Sequence, residues 1–263
     1  MKALFLGYGR MGSAIGESWL KAGLVESVTA VDPYRASEAA AAIFASADLL
    51  PDEQYDLIVV AVKPSMATEA IKALPARAYA PGAAMVSVMA GVKCSTLEAA
   101  CGGKIAIIRS MPNTPILLGA GCTGLYAGNE VSQDLRGHVT KLFDAVGKAY
   151  WVDSEEMLHA VTAISGSGPA YYHLFSEAME AAGVALGLPQ ALAHDLAAQT
   201  AFGAASLQCQ EGAEYQQLRL AVTSPKGTTD AAIRVFEQSA ALRGLVEKAT
   251  ASAFQRSKEL SEG

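Results

Sequence analysis

Two patterns of apolar and polar residues divide the chain near residue 152. Before it, short apolar runs alternate with segments whose apolar residues recur at helical spacing. The predicted strands are KALFLG, ESVTAV, DLIVVAV, AAMVSVMA, KIAIIRS, GCTGLYA and KAYWV; the predicted helices are MGSAIGESWLKAG, PSMATEAIKAL, STLEAAC and SQDLRGHVTKLFDAVG. This alternation predicts an α/β domain over residues 1–152, with a parallel sheet covered by helices. DLIVVAV is apolar on both faces, which is typical of a central strand.

Residues 153–263 show no strand-like alternation and predict an all-α domain. The segments SGSGP, GLP and TSPKG interrupt an Ala-, Leu- and Gln-rich sequence, so we expect four or five helices. Several helices, such as ALAHDLAAQTAFGAASL, carry small apolar residues on more than one face and must be buried. We therefore favour packing against a second copy of the chain over a compact monomeric bundle.

Composition and charge exclude several classes of function. The 263 residues are 51% hydrophobic and 17% charged, which is a globular profile. The net charge of -6 argues against nucleic acid or an anionic membrane as a partner. The first apolar run is too short for a signal peptide, and no run is long enough to span a membrane, so we expect a cytoplasmic protein. The cysteines and histidines lack metal-ligand spacing, and no metal site is predicted.

GYGRMG, residues 7–12, predicts a dinucleotide-binding turn. It matches G-x-G-x-x-G, follows the first predicted strand and opens the first predicted helix. Gly7 should allow a tight turn, Gly9 should let the backbone approach a pyrophosphate, and Gly12 should let helix and strand pack closely. The candidate cofactor-binding residues here are Gly7, Tyr8, Gly9, Arg10, Met11 and Gly12.

The sequence leaves the choice between NADH and NADPH open. Asp32 ends the second predicted strand, about 20 residues beyond Gly12, where an acidic side chain accepts hydrogen bonds from the ribose hydroxyls of NADH. Arg35 follows in DPYR, and its guanidinium is suited to the extra phosphate of NADPH. Asp32 favours NADH, or use of both cofactors.

Two further loops end predicted strands and should border the cofactor, because ligands of such sheets lie at the carboxyl ends of the strands. AVKP contributes Ala61, Val62, Lys63 and Pro64. RSMPNTP is a rigid loop whose Asn113 is a candidate ligand for the nicotinamide amide. For each loop, a turn without a ligand is the alternative.

Two Ser/Pro/Gly segments, SGSGPAYY and VTSPKGTTDAAI, each precede a predicted helix. Backbone N–H groups left without partners at the start of a helix can hold an anion. If the two segments converge, they would form a small carboxylate pocket without an arginine. A pair of ordinary capped helices is the alternative.

GYGRMG, AVKP, RSMPNTP, SGSGPAYY, EAMEAAGVALGLP, LAAQTAFGAA and VTSPKGTTDAA, in this order, resemble the pyrroline-5-carboxylate reductase family. The resemblance implies a Rossmann domain followed by a helical dimerisation domain, in a homo-oligomer that is a dimer or an assembly of dimers. It also implies that NAD(P)H reduces the C=N bond of 1-pyrroline-5-carboxylate to give L-proline, the last step of proline biosynthesis.

The resemblance extends to site residues. Met89, Ala90 and Gly91 would join the cofactor loops, and Thr229 would be the catalytic residue near the substrate nitrogen. The substrate pocket, shared with a second subunit, would be lined by Ser165, Gly166, Ser167, Gly168, Pro169, Ser224, Lys226, Gly227 and Thr228. Lys226 departs from the family pattern, which has glycine there, and would be strained if φ is positive.

Two rival functions follow from the same residues. Another two-domain dehydrogenase acting on a keto or hydroxy acid would need a proton donor, for which His173 and Lys226 are the candidates near the loops. A dinucleotide-binding protein without catalysis is the second rival, and the intact Ser and Thr positions of both loops count against it.

Overall fold

The computed structural model describes residues 1–35, 40–103 and 105–262. The chain forms two compact units, one comprising residues 1–167 with the C-terminal segment from residue 253, the other residues 168–252. The boundary between the two compact units, after residue 167, differs from the predicted domain boundary after residue 152. The functional domain limits of 1–152 and 153–263 remain a prediction.

The larger unit is built around a sheet that has eight strands within the described residues. They are β1 (Lys2–Leu6), β2 (Ser27–Val31), β3 (Ala42–Phe44), β4 (Tyr55–Val60), β5 (Tyr79–Ser87), β6 (Ala106–Met111), β7 (Gly121–Ala127) and β8 (Gly147–Trp151). The order is β3-β2-β1-β4-β5-β6-β7-β8, and every neighbouring pair is parallel except β6 with β7. Strand order reverses between β1 and β4, the position at which doubly wound sheets bind ligands.

All seven predicted strands form, and β3 is an addition. β3 has only three residues, too few to give a recognisable alternation in the sequence. The predicted central strand, β4, pairs with both β1 and β5 and has a nearly continuous buried run. The prediction of an α/β domain with a mainly parallel sheet is confirmed.

Helices cover both faces of this sheet. They are α1 (Arg10–Lys21), α2 (Ala67–Lys72), α3 (Cys94–Cys101), α4 (Gln133–Asp144) and α5 (Met157–Val161). Helices α1 and α4 share one apolar cluster with Ala3 and Phe5, whereas α2 and α3 share another with Leu4 and Leu6. Successive residues of β1 therefore enter opposite cores, because side chains alternate along a strand.

Trp19 joins α1 to α4 in the first of these cores. Its ring centroid lies 5.6 Å from that of Phe5 and 5.8 Å from that of Phe143. Its indole N–H donates to the carbonyl of Leu142 at 2.7 Å. Each fully buried side chain of this size contributes about 1.5–3 kcal/mol to folding, which fixes α1 against the sheet.

The smaller unit is helical. It contains α6 (Gly168–Ala185), α7 (Gln190–Gln208), α8 (Tyr215–Ala221), α9 (Thr228–Glu237) and the first part of α10 (Ala241–Glu262). Counting α5, six α-helices therefore follow residue 152 in the described chain, where four or five were predicted. The short α5 and α8 account for the difference.

Large apolar side chains of α6 and α7 are exposed in the single chain. Tyr172 is 71% exposed, Phe202 68% and Leu174 65%, and Leu186, directly after α6, is 87% exposed. An isolated domain rarely leaves so many large apolar groups in water. No helix in the described ranges combines the length and apolarity needed to cross a membrane.

Candidate functional site

The glycine-rich loop between β1 and α1 holds its glycines for different reasons. Gly7 has φ of 87°, and a Cβ there would lie 2.7 Å from the carbonyl oxygen of Ala61. A Cβ on Gly12 would lie 2.6 Å from the carbonyl oxygen of Gly7. Gly9 is exposed, and a Cβ there would meet no atom within 4 Å. The fold itself therefore requires Gly7 and Gly12, but it does not require Gly9.

Helix α1 starts with unpaired backbone donors. Its N-cap is Gly9, which has no side chain to cap the helix, and the carbonyl of Gly9 accepts from the N–H of Ser13 at 2.9 Å. Within the described residues, no acceptor is found for the N–H groups of residues 9–12. These donors and the helix dipole favour an anion, so the loop fits the pyrophosphate of a dinucleotide.

Asp32 connects this loop to the turn after β2. One carboxylate oxygen accepts from the N–H of Tyr8 at 2.8 Å, and the other accepts from the N–H of Tyr34 at 2.9 Å. Asp32 is only 8% exposed, whereas Tyr34 and Arg35 are exposed. The carboxylate is thus hydrogen-bonded within the protein through both oxygens.

Tyr8 points into the core and not towards the loop surface. It is fully buried, in an edge-to-face contact with Phe5. Burial, followed by the negative charge of Glu17, raises the pKa of Tyr8 to about 12. The phenol of Tyr8 therefore stays neutral. Tyr8 contributes its backbone, and not its side chain, to the surface of the glycine-rich loop. The neighbouring Arg10 is exposed and Met11 is half-buried.

The loops after β4 and β5 lie beside the glycine-rich loop, because β1, β4 and β5 are adjacent strands with parallel carboxyl ends. The N–H of Ala61 donates to the carbonyl of Leu6 at 2.7 Å. Beyond Val62, Lys63 and Pro64 are exposed. The structure thus gathers three of the loops predicted to bind the cofactor at the carboxyl end of the sheet.

The loop after β5, residues 89–91, is held by the C-terminal end of α10. Met89 is buried, and its N–H donates to the hydroxyl of Ser87 at 3.3 Å, whereas Ala90 is exposed. Gly91 has φ of 78°, and a Cβ there would lie 2.9 Å from the carbonyl oxygen of Leu260. Glycine is therefore needed at this position for close packing of the C-terminal segment.

Asn113 is buried and uses both ends of its side-chain amide inside the protein. Its oxygen accepts from the N–H of Cys122 at 2.8 Å, and its nitrogen donates to the carbonyl of Ser165 at 3.0 Å. Only 8% of the residue is exposed. The observed contacts hold residue 165 in place, and a contact with nicotinamide remains a prediction.

The segment SGSGP does not form the predicted turn with a free helix start. A π-helical turn spans Thr162–Gly166, between α5 and α6, and the N–H of Ser167 donates to the carbonyl of Thr162 at 2.8 Å. The hydroxyl of Ser165 donates to the carbonyl of Val161 at 3.0 Å, which keeps the chain helical. The Ser165 carbonyl is available to Asn113 because Pro169, four residues further on, has no N–H to donate to it. π-helical turns occur frequently at functional sites. Ser165, Gly166 and Ser167 are half-buried in this turn; Gly168 and Pro169 begin α6.

Sequence reasoning missed a partly buried ion pair at the start of RSMPNTP. A guanidinium nitrogen of Arg109 lies 2.9 Å from a carboxylate oxygen of Glu155, and the N–H of Cys94 donates to the same oxygen at 2.7 Å. Burial alone would raise the pKa of Glu155, but the bonds from Cys94 and Arg109 lower it overall. Burial, together with Glu155, also raises the pKa of Cys94 to about 12, so its thiol is inert. An arginine within the apolar run KIAIIRS was the available signal.

The second predicted substrate segment starts α9. Its N-cap is Gly227, with no side-chain cap, and the N–H groups of residues 228–230 find no acceptor in the described part of the chain. Thr228, Thr229 and Asp230 are residue types that often cap helices, but they lie inside α9 and do not cap it, so the alternative of an ordinary capped helix is wrong here. Ser224 and Thr228 are exposed, and Thr229 is half-buried.

Comparisons with known proteins cover both units. A family model described as pyrroline-5-carboxylate reductase dimerisation matches residues 155–260, and one described as NADP oxidoreductase coenzyme F420-dependent matches residues 2–91. Pyrroline-5-carboxylate reductase from Pseudomonas aeruginosa is 46% identical over 79% of this chain and 75% of its own length.

The chain belongs to the pyrroline-5-carboxylate reductase family. The Coxiella burnetii member has a solved structure that matches with a TM-score of 0.91 and 33% identity, covering 98% of both chains. The Plasmodium falciparum member, solved with NADP bound, matches with a TM-score of 0.84 and 28% identity, covering 99% of this chain and 98% of that one. The Rossmann-type N-terminal fold and the all-α dimerisation fold are thereby confirmed.

Lys226 is the visible departure from the pyrroline-5-carboxylate reductase pattern, and it is strained. Its φ is 60°, in the left-handed region that the usual glycine adopts without cost. The loop nevertheless closes: the Lys226 N–H donates to a carboxylate oxygen of Asp230 at 3.1 Å. Arg234, 3.0 Å from the same carboxylate, and then Lys226 lower the pKa of Asp230. Lys226 itself is exposed.

Proposed function

We infer that this chain is an NAD(P)H-dependent pyrroline-5-carboxylate reductase that reduces the C=N bond of 1-pyrroline-5-carboxylate to give L-proline, the last step of proline biosynthesis. The observation that carries this inference is the match to family members over nearly the whole chain, with the predicted motifs in both halves. The keto-acid dehydrogenase rival has less support, because its candidate donor His173 is exposed and has no partner within the described residues.

The cofactor would be held at the edge formed by the loops after β1, β4 and β5. Backbone N–H groups at the start of α1 would bind the pyrophosphate, and the exposed face at Gly9 would let it approach. The other proposed contacts come from residues 61–64 and 89–91 and from the turn with Asp32 and Arg35. When bound, the reduced nicotinamide supplies the hydride that adds to the imine carbon.

The substrate carboxylate would be bound by the segment that starts α9. The N–H groups of residues 228–230, with the hydroxyls of Ser224 and Thr228, offer donors to an anion without adding a strong positive charge. Backbone donors suit this substrate, because a guanidinium would disfavour a protonated imine. Residues 165–169 are proposed as the second substrate-contacting segment.

Thr229 is proposed to hydrogen-bond the ring nitrogen or to relay a proton to it through water. A protonated imine is already electrophilic, so a strong general acid is not required at this position. Alignment of the two reactants then supplies most of the rate, and the hydroxyl makes a smaller contribution.

A homo-oligomer, either a dimer or an assembly of dimers, is part of this proposal. It is supported by the exposed apolar side chains of α6 and α7 and by the dimerisation model that matches residues 155–260. Light scattering on the purified protein should give a mass of at least twice 27.2 kDa. We also propose a cytoplasmic location, which cell fractionation would test.

The activity is tested by the loss of reduced-nicotinamide absorbance when the purified protein meets pyrroline-5-carboxylate, with NADH and NADPH run side by side. Thr229→Ala should lower kcat by up to about a hundredfold, with an unchanged circular dichroism spectrum. Thr96→Ala, an exposed threonine of α3, is the matched control and should keep the wild-type rate. Absence of turnover in folded, oligomeric wild-type protein would refute the proposed reaction, and unchanged kinetics in Thr229→Ala would remove Thr229 from the mechanism.

A further inference from the structure

The loop between β5 and α3, residues 88–93, has few hydrogen bonds of its own. At its start, the N–H of Val88 donates to the carbonyl of Val60 at 3.0 Å. In the part of the chain that the structure describes, the N–H groups of residues 90–93 find no acceptor. The conformation of this loop therefore depends on the segments that pack against it.

The C-terminal segment, residues 253–262 of α10, packs against the middle of this loop. It belongs to the larger unit, together with the sheet. A Cβ on Gly91 would lie 2.9 Å from the carbonyl oxygen of Leu260 and 3.7 Å from the backbone nitrogen of Ser261. Because the two backbones approach so closely, the position of the C-terminal segment limits the conformations that the loop can adopt.

One pair of buried side chains fixes the C-terminal segment on the larger unit. The hydroxyl of Ser257 lies 2.8 Å from Nδ1 of His159 in α5, 98 residues earlier in the chain. Ser257 is 7% exposed and His159 is 4% exposed. Ser257 also lies one helical turn before Leu260, on the same face of α10. A satisfied hydrogen bond between buried groups selects one arrangement of this face, which apolar contacts alone do so less strictly.

Burial of apolar side chains contributes little to holding the C-terminal segment. Among the described residues of α10, Ser257 alone is buried. Phe254, whose ring makes an edge-to-face contact with His159, is only half-buried, and Leu260 is 57% exposed. A helix end with so few buried apolar contacts opens readily. The hydrogen bond between Ser257 and His159 is therefore a main contact that keeps the segment on the loop.

The loop lies on the nicotinamide side of the proposed cofactor site. In a sheet of this type the adenosine ribose is expected beyond β2 and the pyrophosphate at the start of α1. Strands β4 and β5 lie on the other side of β1 from β2. A dinucleotide that extends across the carboxyl end of the sheet would therefore reach the loop after β5 with its nicotinamide half.

We propose that the C-terminal segment positions residues 89–91 for the nicotinamide half of the cofactor, and that Ser257, through its hydrogen bond with His159, is the positioning residue. Both side chains are buried and act through the loop. This proposal rests on the proposed function, because it takes residues 89–91 as part of the cofactor site. Without the hydrogen bond, fewer molecules hold the loop in the binding conformation, and the apparent affinity falls in proportion.

The test compares dissociation constants, measured by calorimetry, for NADH and NADPH with those for the adenosine fragments 5′-AMP and adenosine 2′,5′-bisphosphate. Ser257→Ala should weaken both dinucleotides about three- to tenfold and change the fragments less than about twofold. Ser252→Ala, which alters an exposed serine of the same helix, is the matched control and should bind all four ligands as the wild type does. A lower Tm with unchanged dissociation constants would show a merely structural role and overturn the proposal. Equal weakening of dinucleotides and fragments would overturn it as well.

Hydrogen–deuterium exchange of the wild-type protein is a second test, and it does not depend on the folding of any variant. Coupling is reciprocal, so a cofactor that prefers the positioned loop must also stabilise the segment that positions it. NADH or NADPH, whichever binds more tightly, should slow amide exchange in residues 253–262, whereas 5′-AMP should not. Helix α4 is the control and should show no change. Unchanged exchange in the C-terminal segment with bound dinucleotide would refute the proposal.

These experiments separate this proposal from the proposed reaction. They contain no imine, so they can succeed in a protein that fails to reduce pyrroline-5-carboxylate. Conversely, an active reductase whose Ser257→Ala variant binds both dinucleotides as tightly as the wild type would keep the proposed reaction and lose the positioning role of Ser257.

Discussion

Gly9→Val should abolish dinucleotide binding while leaving the fold intact. Gly9 has φ of −67° and ψ of −165°, an extended conformation that valine adopts readily. A Cβ at this position meets no protein atom within 4 Å, so the added methyl groups occupy the space proposed for the pyrophosphate. Of the glycines in this loop, Gly9 is the one whose side chain would collide only with a ligand.

The expected stability change is small because two effects oppose each other. A side chain at a compatible glycine position reduces the entropy of the unfolded chain, worth about 0.4–1 kcal/mol. Valine is a poorer N-cap than glycine, which costs about as much, so the free energy of unfolding should change by less than about 1 kcal/mol. Exclusion of the pyrophosphate should weaken NADPH at least about 100-fold, or about 2.7 kcal/mol.

Calorimetric titration and thermal unfolding together test this reasoning, with Gly12→Ala as the matched control. A Cβ on Gly12 would lie 2.6 Å from the carbonyl oxygen of Gly7, and this overpacking should cost about 1–3 kcal/mol of stability. Wild-type cofactor affinity in Gly9→Val would refute the placement of the pyrophosphate. A large fall in the Tm of that variant would show that Gly9 serves the fold after all.

Three further variants test other parts of the structure. Lys226→Gly removes the strain of a left-handed backbone conformation, which is about 1–2 kcal/mol. Glycine loses more conformational entropy on folding, which costs about 0.5–1 kcal/mol. The Tm should therefore rise by about 2–4 °C, and a lower Tm would contradict this reasoning. Asn113→Ala should raise KM for pyrroline-5-carboxylate with little change in the NADPH dissociation constant, whereas selective loss of NADPH affinity would support the predicted nicotinamide contact. Burial lowers the pKa of His159 from 6.5, so the stability it contributes is complete above about pH 6.5 and declines as the pH falls below it. Between pH 8 and 5.5 the Tm should therefore fall more in the wild type than in His159→Gln, with the exposed His138→Gln as control; parallel curves would contradict the argument.

The sheet and the glycine-rich loop were predictable because their signals are local. The apolar residues of DLIVVAV are sufficient to predict a strand that is covered on both faces. The spacing of Gly7 and Gly12 indicates a turn that closes within a few residues. Among the strands of the described residues, β3 alone was missed, because three residues are too few to show a period. Local patterns of this kind determine which elements form and where the chain turns.

Side-chain partners could not be predicted, because they are distant in the sequence. Asp32 and Asn113 occupy positions that suggest cofactor contacts, yet the structure engages both with backbone groups of other segments. The Arg109–Glu155 pair joins residues that become neighbours only after the sheet forms. The π-helical turn at Thr162–Gly166 contacts Asn113, about 50 residues earlier in the chain, whereas SGSGP by itself suggested a simple break.

The starts of α1 and α9 share a feature that links the two halves of the proposed reaction. Both helices have a glycine N-cap, Gly9 with φ of −67° and Gly227 with φ of −81°, and neither has a side-chain cap. By contrast, α4 is capped by the hydroxyl of Ser132, which accepts from the N–H of Leu135, and the first N–H of α3 donates to Glu155. Replacing a serine N-cap by glycine costs only a few tenths of a kcal/mol, but it leaves donors that a bound anion can satisfy. On this reasoning the cofactor pyrophosphate and the substrate carboxylate complete the caps of α1 and α9, and each ligand stabilises the helix that binds it.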